Sequence, residues 1–141
     1  MVRDDISARC NAIEECYEFM LAYAGQGLSG KENSQSSEQV RDYLNRAVEA
    51  LSGLAEAYAT AVKHENLQPA ERYLDFLAVL ESDARDSLAA IHLVLAQVNI
   101  SSQLIDNLNA SIHLRALLTD LFLIDEILKP QQLLAKPAIT G

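Results

Sequence analysis

The chain has no tryptophan, two cysteines, three prolines and five glycines in 141 residues, and its eleven Lys and Arg are outnumbered by twenty Asp and Glu. Each shortage excludes something. So little glycine and proline rules out a fibrous or low-complexity chain, and a hydrophobic content of 50% rules out a disordered one. The few basic residues are scattered, and the net charge of -9 argues against a nucleic-acid backbone as partner, because phosphate binding needs clustered Lys and Arg. Cys10 and Cys16 fall on one stretch of helical pattern, where six residues separate them by roughly 9 Å along the axis and about 120° around it. That spacing suits neither an internal disulfide nor a zinc pair, so both thiols read as small apolar side chains. Long apolar runs are missing as well. The stretches 87–100 and 112–128 are interrupted by His92, Gln97, Arg115, Asp120 and Asp125, short of the ~18 uninterrupted residues of a membrane span. Met-Val-Arg-Asp-Asp at the start leads into no signal core. The expectation is a cytoplasmic protein with no membrane association, in which the sequon Asn99-Ile100-Ser101 has no use.

What is present is helical periodicity throughout, with no alternating strand pattern. The length suits one domain. Four helices are expected, over 4–25, 37–64, 69–98 and 102–129. Ile6, Cys10, Ile13, Tyr17, Met20, Leu21 and Ala24 line one face of the first, with Glu14, Glu15 and Glu18 opposite. Gly25 to Ser37 is a loop. Ser36 and Gln39 read as a capping box opening the second helix, whose stripe is Val40, Leu44, Ala47, Leu51, Leu54, Tyr58 and Val62. Pro69 suits the start of the third, which carries Leu74, Leu77, Leu80, Ala84, Leu88, Ile91, Leu95 and Val98. Ser101 or Ser102 caps the fourth. These elements define an all-α four-helix bundle, mostly up-down antiparallel, over 1–129, followed by a short C-terminal tail, 130–141, after a helix stop at Pro130.

The fourth helix is unlike the others. Its second half is apolar nearly all round, with Leu114, Leu117, Leu118, Leu121, Phe122, Leu123, Ile124, Ile127 and Leu128. A helix apolar on every side calls for cover on every side. Either the tail, with Leu133, Leu134 and Ile139, folds over it, or a second chain does.

Motifs with chemistry were sought on this frame. A di-iron bundle needs Glu three residues before an inward His, but those positions are Ala61, Ala89 and Ala110. Glu14-Glu15-x-x-Glu18 resembles the magnesium motif of all-α nucleotide pyrophosphatases. The second element of that family is missing, since Glu38 and Asp42 are one residue too far apart. Lys63-His64-Glu65-Asn66-Leu67-Gln68-Pro69 has the His-Glu-x-x-x-Pro spacing of the histidine-kinase phospho-acceptor box, but it falls at a helix end, where Lys63 and His64 complement the dipole. Gly25-x-Gly27-x-x-Gly30 follows a helix and no strand, so it is not a dinucleotide fingerprint. Arg85-Asp86 with His92 resembles the motif of HEPN-type ribonucleases. That resemblance implies acid–base work by His92 and phosphate stabilisation by Arg85, with Glu81 one turn before it on the same edge. Asp106, Asn109, His113 and Asp120 line one polar edge of the fourth helix, where a His between acids would titrate near neutral pH.

The leading expectation is a non-catalytic helical-bundle protein acting through protein–protein association as an adaptor, chaperone-like or regulatory partner. It would be a homodimer whose interface holds Leu114, Leu117, Leu118, Leu121, Phe122, Ile124 and Leu128. No cofactor, no metal and no nucleic-acid partner is expected. The alternative is the HEPN-like ribonuclease using Arg85 and His92.

Overall fold

A computed structural model describes residues 2–31 and 35–135, with side chains described through Lys129. Among the described residues the chain is all-helical and contains no strand. Six helices form in place of the expected four: α1 (Val2–Ala24), α2 (Gln35–Leu51), α3 (Leu54–His64), α4 (Ala70–Leu95), α5 (Ser102–Ala110) and α6 (Ile112–Ala135). The two extra boundaries have local causes. Between α2 and α3, Gly53 takes a left-handed φ of 82°, a conformation that ends a helix and that only glycine reaches without steric penalty. Between α5 and α6, Ser111 is extended, and its hydroxyl accepts from the Leu114 N–H as an N-cap.

Arginines from neighbouring helices satisfy the carbonyls that these endings leave free. Arg9 of α1 donates to the carbonyls of Ala50 (3.0 Å) and Ser52 (2.6 Å) at the end of α2. Arg41 of α2 likewise reaches the carbonyls of Leu95 (3.1 Å), Gln97 (2.7 Å) and Val98 (2.9 Å) at the end of α4. A guanidinium suits this task because its fork holds several donors in one plane and its charge favours the negative end of the helix dipole.

The long helices α1 and α4 organise the packing. α1 lies against α2, α3 and α5, while α4 lies against α2, α3 and α6. The core contains the expected stripe of the second helical stretch complete, from Val40 to Val62. Tyr23, Tyr58, Met20, Leu44, Leu54, Leu80, Ile105, Leu117 and Ile124 are among its largest fully enclosed side chains. Four expected core positions lie outside it: Leu21 (51% exposed), Leu74 (42%), Val98 (89%) and Ile112 (72%), where the periodic stripe Leu104, Ile105, Leu108 and Ile112 is broken at Ser111. The first two sit at the edge of their stripes, and Val98 falls beyond the end of α4.

Two expected boundaries also move. α2 is already helical at Gln35, so Ser36 lies inside its first turn and is not its cap. α6 runs through Pro130 to Ala135, past the expected domain end at 129. Proline removes one backbone donor and strains the turn before it, but it need not end a helix. The tail residues 136–141 lie outside the described residues, as do the side chains of Leu133 and Leu134. Ser101 is the cap of α5, accepting from the Leu104 N–H at 3.0 Å.

The connection after α1 is pinned from within. The Ser102 hydroxyl donates to the Tyr23 carbonyl (2.6 Å) and accepts from the Leu28 N–H (2.9 Å), while the Tyr23 hydroxyl donates to the Ile100 carbonyl (2.6 Å). Gly30 presses on the same segment. With φ of 85°, its place for a Cβ is 2.7 Å from the Ile100 backbone.

Candidate functional site

Six of the seven residues expected at an interface are buried in the chain's own core: Leu114, Leu117, Leu118, Leu121, Ile124 and Leu128. Their spacing of three, four and seven turns them onto one inward stripe against α4 and the rest of the bundle. Phe122 is the exception, at 61% exposed, and Leu123 (50%) and Ile127 (43%) join it on the outside. The apolar excess of α6 therefore survives folding, on a narrower set of side chains than the sequence indicates.

Beside these residues a groove of about 320 Å³ opens between the start of α4 and the second half of α6. Arg72, Tyr73 and Phe76 form one wall; Leu123, Ile124 and Ile127 form the other. α4 and α6 pack directly on each other. Phe122 is exposed but lines no part of the groove, lying about 100° around α6 from Leu123 and about 140° from Ile127.

The same seam holds a buried acid. Asp120 is 8% exposed, and among the described residues its Oδ2 has no hydrogen-bond partner. Burial, followed by the neighbouring Asp83 carboxyl of α4, pushes the Asp120 carboxyl up to about 7. Further along α4, the Ser87 hydroxyl donates to the His113 carbonyl at 3.0 Å and so ties the two helices. The expected polar edge is thereby divided. Asp106 and His113 are exposed, whereas Asp120 and Asn109 are buried, the latter with its Oδ1 unpartnered. Asp83 had no signal in the sequence beyond being one acid of a helix face.

A second polar cluster lies where α1, α3 and α6 meet. Tyr58, fully enclosed, donates to Asp125 Oδ1 at 2.7 Å. With its one proton so used, it accepts from the Cys10 thiol at 3.3 Å. Burial pushes Cys10 up to about 11 and Cys16 up to about 12, and burial also pushes the Tyr58 hydroxyl up. Neither thiol is a nucleophile at neutral pH, because the thiolate is the reactive form. Both cysteines are free and buried, as the sequence indicates. An open cavity of about 260 Å³ beside the cluster is lined by residues including Arg3, Ser7, Glu14 and Asp125. Arg3 is engaged by Glu65 in a two-pronged ion pair.

The ribonuclease-like residues all lie on the exposed side of α4. Arg85 pairs with Glu81 at 3.0 Å, as their spacing predicts, and His92 is exposed about two turns further on. Glu14, Glu15 and Glu18 are exposed as well. Among the described residues no group of three or more His, Cys, Asp or Glu is placed to hold a metal ion, and no helix is long and apolar enough to cross a membrane.

Comparison with known proteins finds no protein family, characterised protein or solved structure that matches this chain.

Proposed function

We propose that this protein is a non-catalytic helical bundle that works by association, and that its first partner is a second copy of itself docked on the α4/α6 face. Counting α2 with α3 and α5 with α6 as broken helices, the architecture is a four-helix bundle with two interruptions. The observation that carries the functional reading is the apolar groove itself, whose α6 wall leaves Leu123 and Ile127 exposed. Lone exposed apolar residues are ordinary, but a contiguous set next to a concave apolar wall marks an association site.

A second copy fits because Leu123 and Ile127 stand exposed on the wall of an apolar groove, so that knob and hollow belong to one face. In a two-fold arrangement the side chains of each copy enter the groove of the other, so one patch serves both sides. Arg72 stands at the groove between Glu71 and Asp75 in the chain, and Lys129 pairs with Glu126, so the apolar walls and not the charges carry the contact. A stable dimer of this kind covers about 800 Å² on each copy.

Sedimentation of the full chain at micromolar concentration tests the reading. A dimer is expected, converted to monomer by Ile127→Glu without loss of helical content. A wild-type monomer across the concentration range, or a dimer indifferent to Ile127→Glu and Leu123→Glu, overturns it.

A further inference from the structure

We propose that Asp83 and Asp120 form a proton-operated clasp between α4 and α6, closed while the two carboxyls share a proton and strained open once both are ionised. The consequence for docking rests on the reading above, because the groove opens between the same two helices; the clasp itself does not.

The geometry is unusual for a pair of acids. Asp120 lies inside the seam, more than nine-tenths buried, with an oxygen that no donor among the described residues reaches. An orphaned buried acceptor is costly. The carboxyl facing it from α4 is Asp83. Two carboxylates cannot hydrogen-bond to each other, but one carboxylic acid and one carboxylate can, and a single shared proton gives the orphaned oxygen its partner. No basic group offsets the pair. On α4, Arg85 is exposed and engaged by Glu81, and Ser87 is committed to the His113 carbonyl. On α5, Asp106 is exposed. On α6 itself His113 and Arg115 are exposed, and Asp125 is held by Tyr58.

Asp120 and the groove residues Leu123, Ile124 and Ile127 follow one another at three, four and seven along α6. Asp83 lies two turns from Phe76 of the opposite wall. Separating the carboxyls therefore moves both walls of the docking face. The sign follows from the raised proton affinity of Asp120. The folded seam binds more protons than the unfolded chain, so its stability is fullest at acidic pH. That stability declines as pH rises from the ordinary carboxylate range through about 7. Docking is expected to weaken in the same direction.

Two measurements on the full chain test this. Carbon-detected NMR of the aspartate carboxyls is expected to show one group titrating near 7, shifted downward in Asp83→Asn. Hydrogen exchange along α4 and α6 is expected to accelerate about tenfold from pH 5 to pH 6, after correction for intrinsic rates, and to level off above pH 7, one pH unit between the unfolded and folded values being tenfold in the opening equilibrium. Asp120→Asn removes that dependence. The same measurements in the Ile127→Glu monomer separate the two ideas: a pH-dependent seam in that monomer upholds the clasp independently of docking, whereas a wild-type chain that never dimerises sinks the docking reading alone. The clasp is overturned if no aspartate titrates above the usual carboxylate range, or if Asp120→Asn and Asp83→Asn both keep the wild-type exchange profile.

Discussion

Tyr58 of α3 donates a 2.7 Å hydrogen bond to Asp125 of α6, two elements that otherwise touch little, and in doing so leaves Cys10 of α1 to act as donor in turn. One ring thus ties three helices together. Tyr58→Phe keeps the ring and removes the hydroxyl, and is expected to lower stability by about 1–2 kcal/mol, the usual worth of a hydrogen bond to a charged acceptor that water can partly replace. Urea unfolding checks it. Thiol titration is its companion: with both cysteines buried and pushed up to about 11 and about 12, native protein at pH 8 should label slowly and unfolded protein at once.

Gly30 and Gly27 make an internal comparison. Both have positive φ, but a Cβ at Gly30 would strike the Ile100 backbone while one at Gly27 meets nothing within 4 Å. Gly27→Ala is expected to cost about 1 kcal/mol, for the backbone conformation alone. Gly30→Ala adds displacement of the Ile100 segment and is expected to cost about 2 kcal/mol or more. Equal thermal shifts in the two variants would show that the loop does not press on Ile100.

The two capping arginines predict a failure of the conservative replacement. Arg41 supplies three hydrogen bonds to the end of α4, two of them from a single nitrogen. Arg41→Ala is expected to lose about 1–2 kcal/mol. Arg41→Lys should recover only part of it, since an ammonium brings the charge without the planar fork. The same order should hold at Arg9.

The Arg3–Glu65 pair gives a pH dependence of opposite sign to that of Asp120. The hydrogen bonds from Arg3 hold the Glu65 carboxyl below the usual range. Its stabilisation is therefore complete above the unfolded value and disappears as pH falls through the folded one. Arg3→Gln is expected to cost about 1 kcal/mol at pH 7 and progressively less in strong acid. By contrast, Arg85→Ala should change stability by less than about 0.5 kcal/mol, since its ion pair with Glu81 is exposed.

Much of the architecture is legible without coordinates, and the particular elements say why. The stripe from Val40 to Val62 is buried at each expected position, because a 3.6-residue repeat leaves one face no other solution. Ser101 and the exposed glutamates of α1 follow from local rules of equal strength, whereas Pro69, expected as the first helical residue, is the extended N-cap residue before Ala70. The break at Ser52–Gly53 had a signal, a glycine within a helical pattern, overridden by the continuity of the stripe on either side of it. Ser111 had a fainter one. Pro130 misled in the other direction, since a local preference against helix was read as a stop.

What the sequence determined by itself is the all-helical class, the inward faces and the apolar excess of α6, since each depends on periodicity within one segment. The tertiary structure decided how that excess is divided between the core and Phe122, Leu123 and Ile127, and which acid faces which. Asp83 and Asp120 carry no mark that pairs them. Only the docking of α4 on α6 removes water from between them, and a carboxyl becomes a proton-holding group when its solvent and its neighbours are settled by the fold.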